Sequence, residues 1–266
     1  MQANFIDGVK PIKKVNLPLR FFYWGPFVTH MNLPVEFCNF FIEEGKKVRG
    51  NLSKSADDSL AGNLTRGQFK LEKSNPSSLF YLSQIIQAYC EAHNTNWNQT
   101  RTLNHKEWIL ADLWINYYKA GDYQPFHNHA GDISFVFFPE PTPPELIQED
   151  KDFKGTARGP GYLTFLVGEV HNITSSEINA LPKQGDLYIF PAHVKHMVTP
   201  YKSKVERCSI SGNAFLPGSS AILANLQLTS TAEARVKSLE VNGNKIRYME
   251  GDWDGQSPQL VKKEPQ

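Results

Sequence analysis

The segment 126–138 reads FHNHAGDISFVFF and sets two histidines, His127 and His129, just ahead of an apolar run. In an extended chain residues i and i+2 project to one face, so both imidazoles can meet one ion. Imidazole is a ligand for Fe, Zn, Cu and Ni. Two side chains do not enclose a metal, and a third must come from a distant segment. GDLYIFPAHVKHMVTP, ending at Pro200, offers His193 and His196. His196 leads into Met197-Val198-Thr199, which reads as extended again, and is the expected third ligand. His193 is expected to be a wall or surface residue. The alternative is that His127 and His129 are polar residues in a turn and hold no ion.

A second constellation follows in RCSISGN, where Arg207, Ser209 and Ser211 alternate and share one strand face. A guanidinium beside a hydroxyl makes a carboxylate clamp, because its fork matches a carboxylate bidentately. The plainer alternative is a surface arginine in an ion pair. Trp114, Asn116 and Tyr118 alternate in the same way in LWINYY and can line one cavity, although core packing is the first expectation for Trp114.

These residues must be carried by strands, and the chain changes texture to provide them. Before about residue 105 it reads as helical. PVEFCNFFIEEG has Pro34 at its start, Gly45 at its stop and Phe37, Phe40 and Phe41 at helical spacing. A second helix has Asn75 as cap, Pro76 in the first turn, and Leu79, Leu82, Ile85, Ile86 and Tyr89 as its apolar stripe. Beyond residue 105, WILADLWINYYKAGDY, DISFVFF, GPGYLTFLVGE, GDLYIFPAHVKHMVTPY and RCSISGNAFL read as short strands between turns. That pattern predicts a jelly roll, and helices first with strands after predict an α+β layout with the helices packed on one side. The stretch 139–161, PEPTPPELIQEDKDFKGTARGPG, reads as a long loop of the kind that forms lids. Asn242-Gly243 between two β-prone runs predicts a C-terminal hairpin over 236–249. Residues 251–266 read as a polar tail. No repeat or linker divides the chain, so 1–250 is expected to be one domain, with helices in 30–100 and the jelly roll in about 105–215.

The chain has 266 residues, 40% hydrophobic and 12% aromatic, enough for a substantial core. A net charge of +1 gives no field that would draw nucleic acid or an acidic membrane. No apolar run approaches the length of a transmembrane helix, and the N-terminus lacks a signal-peptide apolar region. The three cysteines, Cys38, Cys90 and Cys208, are far apart and odd in number, which argues against a disulfide framework. A cytoplasmic protein is expected. No GxSxG or phosphate-loop motif occurs.

WINYYKAGDYQPFHNHAGDISFVFF and GDLYIFPAHVKHMVTPYKSKVERCSISGN together resemble the 2-oxoglutarate/Fe(II) oxygenase superfamily, and most closely its prolyl-hydroxylase-like branch of bacterial and phage type. The resemblance spans roughly 55–215, with specific motifs in 114–138 and 185–213. It implies a double-stranded β-helix, Fe(II) and 2-oxoglutarate as cofactors, and O2 plus a small-molecule or peptide substrate. It maps the family's first histidine to His127, the distal histidine to His196 and the cosubstrate arginine to Arg207. Ser209, Tyr118 and Asn116 become expected companions of Arg207. Where the family carries Asp or Glu two residues after the first histidine, this chain has His129. Either His127, His129 and His196 form a three-histidine set, or Asp132 swings in as the carboxylate ligand, or the site is weakened. A histidine in that place removes one negative charge from the ligand set and implies weaker Fe(II) retention. The sequence also admits two rival readings. One is a cupin-like three-histidine metalloprotein that does not use 2-oxoglutarate, which gives Arg207 no particular work. The other is a non-catalytic jelly-roll binding or structural protein. The substrate and the oligomeric state are not legible.

Overall fold

The computed structural model describes residues 25–56, 62, 65, 67–97, 102–106, 108–156, 158–168, 176–216, 236–241 and 244–251. Two helices come first. α1 (Val35–Val48) and α2 (Pro76–Asn96) bracket the short strand β2 (Gln68–Lys70), and β1 (Thr29–Asn32) precedes them. The strands that follow are β3 (Ile109–Tyr118), β4 (Gln124–His127), β5 (Ile133–Phe137), β6 (Leu163–Leu166), β7 (Glu177–Ala180), β8 (Asp186–Pro191), β9 (Lys195–Val198) and β10 (Arg207–Phe215). β11 (Val236–Val241) and β12 (Asn244–Met249) close the order.

The strands form two sheets. The larger runs β1-β8-β5-β10-β3-β12-β11, with β2 also paired to β3. The smaller runs β4-β9-β6-β7. Alternation along each strand of the large sheet sorts its two faces. Phe135, Phe137, Ile189, Ile210 and Ile115 pack with Phe37, Phe41, Leu79, Leu82 and Ile86 of the two helices. Val136, Phe138, Tyr188 and Tyr118 point the other way and meet Leu163, Phe165 and Val198 of the small sheet. The result is the expected jelly roll with both helices on one side, and the space between the sheets is where side chains of β3, β8, β9 and β10 converge.

Asn75 caps α2 as expected, accepting from the Ser77 and Ser78 amides, with Pro76 in the first turn. The hairpin strands β11 and β12 also pair as expected, from Val236↔Met249 to Val241↔Asn244; the Asn242-Gly243 turn lies outside the described residues, as do 252–266.

Two expectations are corrected. Gly45 does not stop α1, which continues to Val48. Its role is spatial: a Cβ there would come within 2.2 Å of Ile115 Cδ1 and 2.7 Å of the Tyr117 hydroxyl, so any larger residue forces those buried side chains to move where the helix lies on β3. Gly45→Val should therefore destabilise the protein by about 2–3 kcal/mol through overpacking, read as a lower urea midpoint with an unchanged m value. The second correction is in 139–161, read as a loop. It contains α3 (Pro144–Asp152). Prolines that mark a loop by composition also suit the first turn of a helix, and Leu146 seals α3 onto the inter-sheet core, fully buried.

Candidate active site

β4 and β9 pair so that His127 lies directly opposite His196. β4 ends at His127, and His129 sits two residues further on, held by its amide to the Ala192 carbonyl at 2.9 Å. The turn back into β5 passes through Gly131 at φ +120, a left-handed value that favours glycine. Asp132 is tied on both sides, its amide to Ala214 O and its carbonyl to the Ala192 amide, each at 3.0 Å. These bonds fix the His129 loop against the ends of β8 and β10.

Ligand atoms of His127, His129 and His196 all lie within 4.8 Å of one another. Nε2 of His129 and Nε2 of His196 are 3.2 Å apart. Two nitrogens each about 2.1 Å from one ion, at angles between octahedral and tetrahedral, stand about 3.0–3.4 Å apart. The ring tautomers suit the same purpose. His196 Nδ1 lies 3.0 Å from Val194 O and His127 Nδ1 lies 2.8 Å from Pro125 O. A carbonyl only accepts, so both Nδ1 atoms carry the proton and both Nε2 atoms present lone pairs.

Burial enforces the neutral state. It lowers the pKa of His127, and it takes His129 well below the ordinary histidine value, with His196 and His127 adding to the shift. His196, packed edge-on against Phe190 at 4.9 Å, is brought down to about 4 by burial and then by His127. A folded pKa below the unfolded value means that the unfolded chain binds more protons between the two. The metal-free protein should therefore hold its full stability above about pH 6.5 and lose roughly 3 kcal/mol from His196 as pH falls towards 4. Urea unfolding at pH 5 and pH 7.5 checks this; equal stabilities at the two values would contradict it.

The structure does not bring Asp132 to the cluster. Its Oδ2 accepts from the Leu216 amide at 2.7 Å, and among the described residues no carboxylate joins the three histidines. His193 is exposed and outside the cluster, as expected.

The second constellation assembles rung by rung. β10 pairs with β3 so that Arg207 faces Tyr118, Ser209 faces Asn116 and Ser211 faces Trp114. The two alternating patterns in the sequence thus meet in one surface, of which Trp114, Tyr118, Arg207, Ser209 and Ser211 line the inter-sheet cavity together with His129 and His196. That cavity measures about 20 Å³, room for about one water, so a larger ligand enters only as the lining side chains repack.

Arg207 is 4% exposed. Its Nη1 donates to Gly161 O, and its guanidinium carbon lies 5.4 Å from the ring centres of both Tyr118 and Phe138. Among the described residues its Nε and Nη2 have no hydrogen-bond partner, and no carboxylate pairs with it. An arginine buried without an anion is costly, and burial pulls its pKa down. Asn116 Nδ2 donates to Ser209 Oγ at 3.1 Å, which leaves the Ser209 hydroxyl able to donate its own proton.

Sequence reasoning missed what braces this arginine. Gly161 has φ +71, and a Cβ there would stand 3.3 Å from Arg207 Nη1 and 3.0 Å from Leu146. α3 supports that glycine through Leu146 and accepts the Lys202 and Ser203 amides on Glu149. Gln124, nearly buried, also lines the cavity. The Gly-Pro-Gly run showed only a turn, and nothing in the residues around Gln124 marked it.

Residues 112–213 match a family model described as "Putative 2OG-Fe(II) oxygenase". The matched stretch runs from β3 to β10, the strands that carry the histidines and Arg207. No curated protein matches the chain. Among solved structures it is similar to a prolyl-4-hydroxylase from Pseudomonas putida, with 14% identity, 70% of this chain and 90% of that one covered, and a TM-score of 0.43. A prolyl hydroxylase from Trichoplax adhaerens, in complex with a hypoxia inducible factor oxygen degradation domain peptide fragment, is 12% identical over 71% of this chain and 82% of that one, TM-score 0.44. HygX from Streptomyces hygroscopicus, with nickel, 2-oxoglutarate and hygromycin B bound, is 7% identical over 72% and 83%, TM-score 0.45. Among the described residues no helix is long and apolar enough to cross a membrane.

Proposed function

We propose that this protein is a 2-oxoglutarate/Fe(II) oxygenase, a hydroxylase whose Fe(II) is held by His127, His129 and His196 and whose 2-oxoglutarate is anchored by Arg207. The observation that carries the proposal is the buried Arg207 guanidinium, which among the described residues has two nitrogens unpartnered and no carboxylate beside it. It needs an anion, and the cavity it faces leads to the histidines. When bound, Fe(II) and 2-oxoglutarate supply the oxidising chemistry, in which O2 converts 2-oxoglutarate to succinate and CO2 as substrate is oxidised.

The protein's own residues prepare for that in three ways. The three imidazoles are kept neutral by burial and two of them are aimed by backbone carbonyls, so a cation meets lone pairs rather than protons. Arg207, with the Ser209 hydroxyl beside it, takes the far carboxylate in a site stripped of water, where a charge-assisted bond is strongest. Phe138, Leu163, Phe190 and Val198 wall the cavity and keep solvent from the reacting centre. Three neutral ligands leave the ion with more positive charge than a set containing a carboxylate, which favours an anionic chelating cosubstrate while weakening retention of the metal alone.

The substrate is a peptide or a small molecule reached from the His127 side, where the flanking Phe126 and Asn128 are exposed. Succinate formation from 2-oxoglutarate, and transfer of labelled oxygen from O2 to a panel of proline-containing peptides and small molecules, test the reading. Succinate made equally well by Arg207→Met would refute the assigned anchor, and a product carrying no label would refute hydroxylation.

A further inference from the structure

Trp114 is 6% exposed, and its indole Nε1 is buried with no hydrogen-bond partner among the described residues. A buried tryptophan N–H ordinarily has one. The ring lines the same cavity as Arg207 and stands 5.7 Å from the ring of His129, centre to centre. Its rung, Trp114↔Ser211, is four residues along β10 from the Arg207↔Tyr118 rung, about 13 Å of strand. The cavity thus holds two unsatisfied donors, a guanidinium at one end and an indole N–H at the histidine end.

Packing alone would be served by phenylalanine or leucine, which leave no polar atom to satisfy. A ligand with oxygen acceptors at both ends answers both donors. We propose that Trp114 is a positioning residue, its indole N–H donating to the 2-oxo-carboxylate end of the dicarboxylate whose other end Arg207 holds. This rests on the assignment of Arg207 and the three histidines made above. It would supply an orienting contact beside His129 in a ligand set that lacks the usual carboxylate.

The test uses the full-length protein loaded with Zn(II), a diamagnetic ion that imidazoles also bind. The indole N–H resonance of Trp114 is assigned by its loss in Trp114→Phe, and 2-oxoglutarate is titrated by calorimetry and by NMR. The expected result is a downfield shift of that resonance with slowed solvent exchange, and about tenfold or greater loss of 2-oxoglutarate affinity in Trp114→Phe, with Zn(II) affinity unchanged. If wild type binds 2-oxoglutarate in an Arg207-dependent way, but the resonance stays still and Trp114→Phe binds equally well, Trp114 holds only a water and this inference alone is overturned. If wild type does not bind 2-oxoglutarate at all, the assignment of Arg207 falls with it. Should Trp114→Phe unfold, the resonance of wild type, assigned through Trp114→Tyr, decides by the same shift.

Discussion

Arg207→Met is expected to abolish useful 2-oxoglutarate binding while leaving the ligand-free protein as stable as wild type or more so. Removing one partner of a buried charge pair costs about 2–5 kcal/mol of binding, which is roughly 30-fold to several thousand-fold in affinity. Stability moves the other way. In the absence of ligand the guanidinium is buried against Tyr118 and Phe138, and among the described residues it has a single carbonyl contact from Nη1 and two unpartnered nitrogens. Apolar groups that replace a poorly compensated buried charge are often neutral or stabilising. Methionine matches the arginine stem and fills irregular space; the cost is the Gly161 carbonyl it leaves bare. Calorimetric melts with and without 2-oxoglutarate read both effects. Wild type should gain Tm with the ligand and the variant should not. A variant that is several kcal/mol less stable and still binds 2-oxoglutarate would show Arg207 to be a structural residue.

His196→Ala is the second large effect. Loss of a partner that merely orients a ligand costs metal affinity about 10- to 100-fold, so loss of a ligand should cost at least about 100-fold. His196 is the most buried of the three, faces His127 across β4–β9, and has its Nε2 3.2 Å from that of His129. The remaining pair cannot define a face around an ion. His193→Ala is the matched control, an exposed histidine three residues away, and should bind Fe(II) as wild type does. Anaerobic titration with a chromophoric chelator as competitor measures both. Equal affinities in wild type and His196→Ala would dissolve the three-histidine assignment.

Much of this site could be read from the sequence because it lies on long strands. Period-two alternation placed Arg207, Ser209 and Ser211 on one face and Trp114, Asn116 and Tyr118 on another, and the β3–β10 register turns those faces into a single wall. His127 and His196 were visible as a pair of segments, and β4–β9 pairing makes them neighbours. The residues that failed are ones whose role depends on distant packing. Gly45 looks like a helix stop until Ile115 is seen against it. α3 hides in a proline-rich stretch whose composition suits both a loop and a helix start. Asp132 looks like a spare carboxylate, but the chain uses it to receive the Leu216 amide. A sequence gives no hint that an indole N–H is buried without a partner, because that depends on every neighbour at once.

Anaerobic addition of 2-oxoglutarate to the Fe(II)-loaded protein, followed by visible absorption, tests the assigned site most directly. The prediction is a weak charge-transfer band from the iron-bound keto acid, absent from His196→Ala and reached in Arg207→Met only at far higher 2-oxoglutarate. Iron bound tightly with no band at any 2-oxoglutarate concentration would contradict it, and would make the cluster a three-histidine metal site without this cosubstrate.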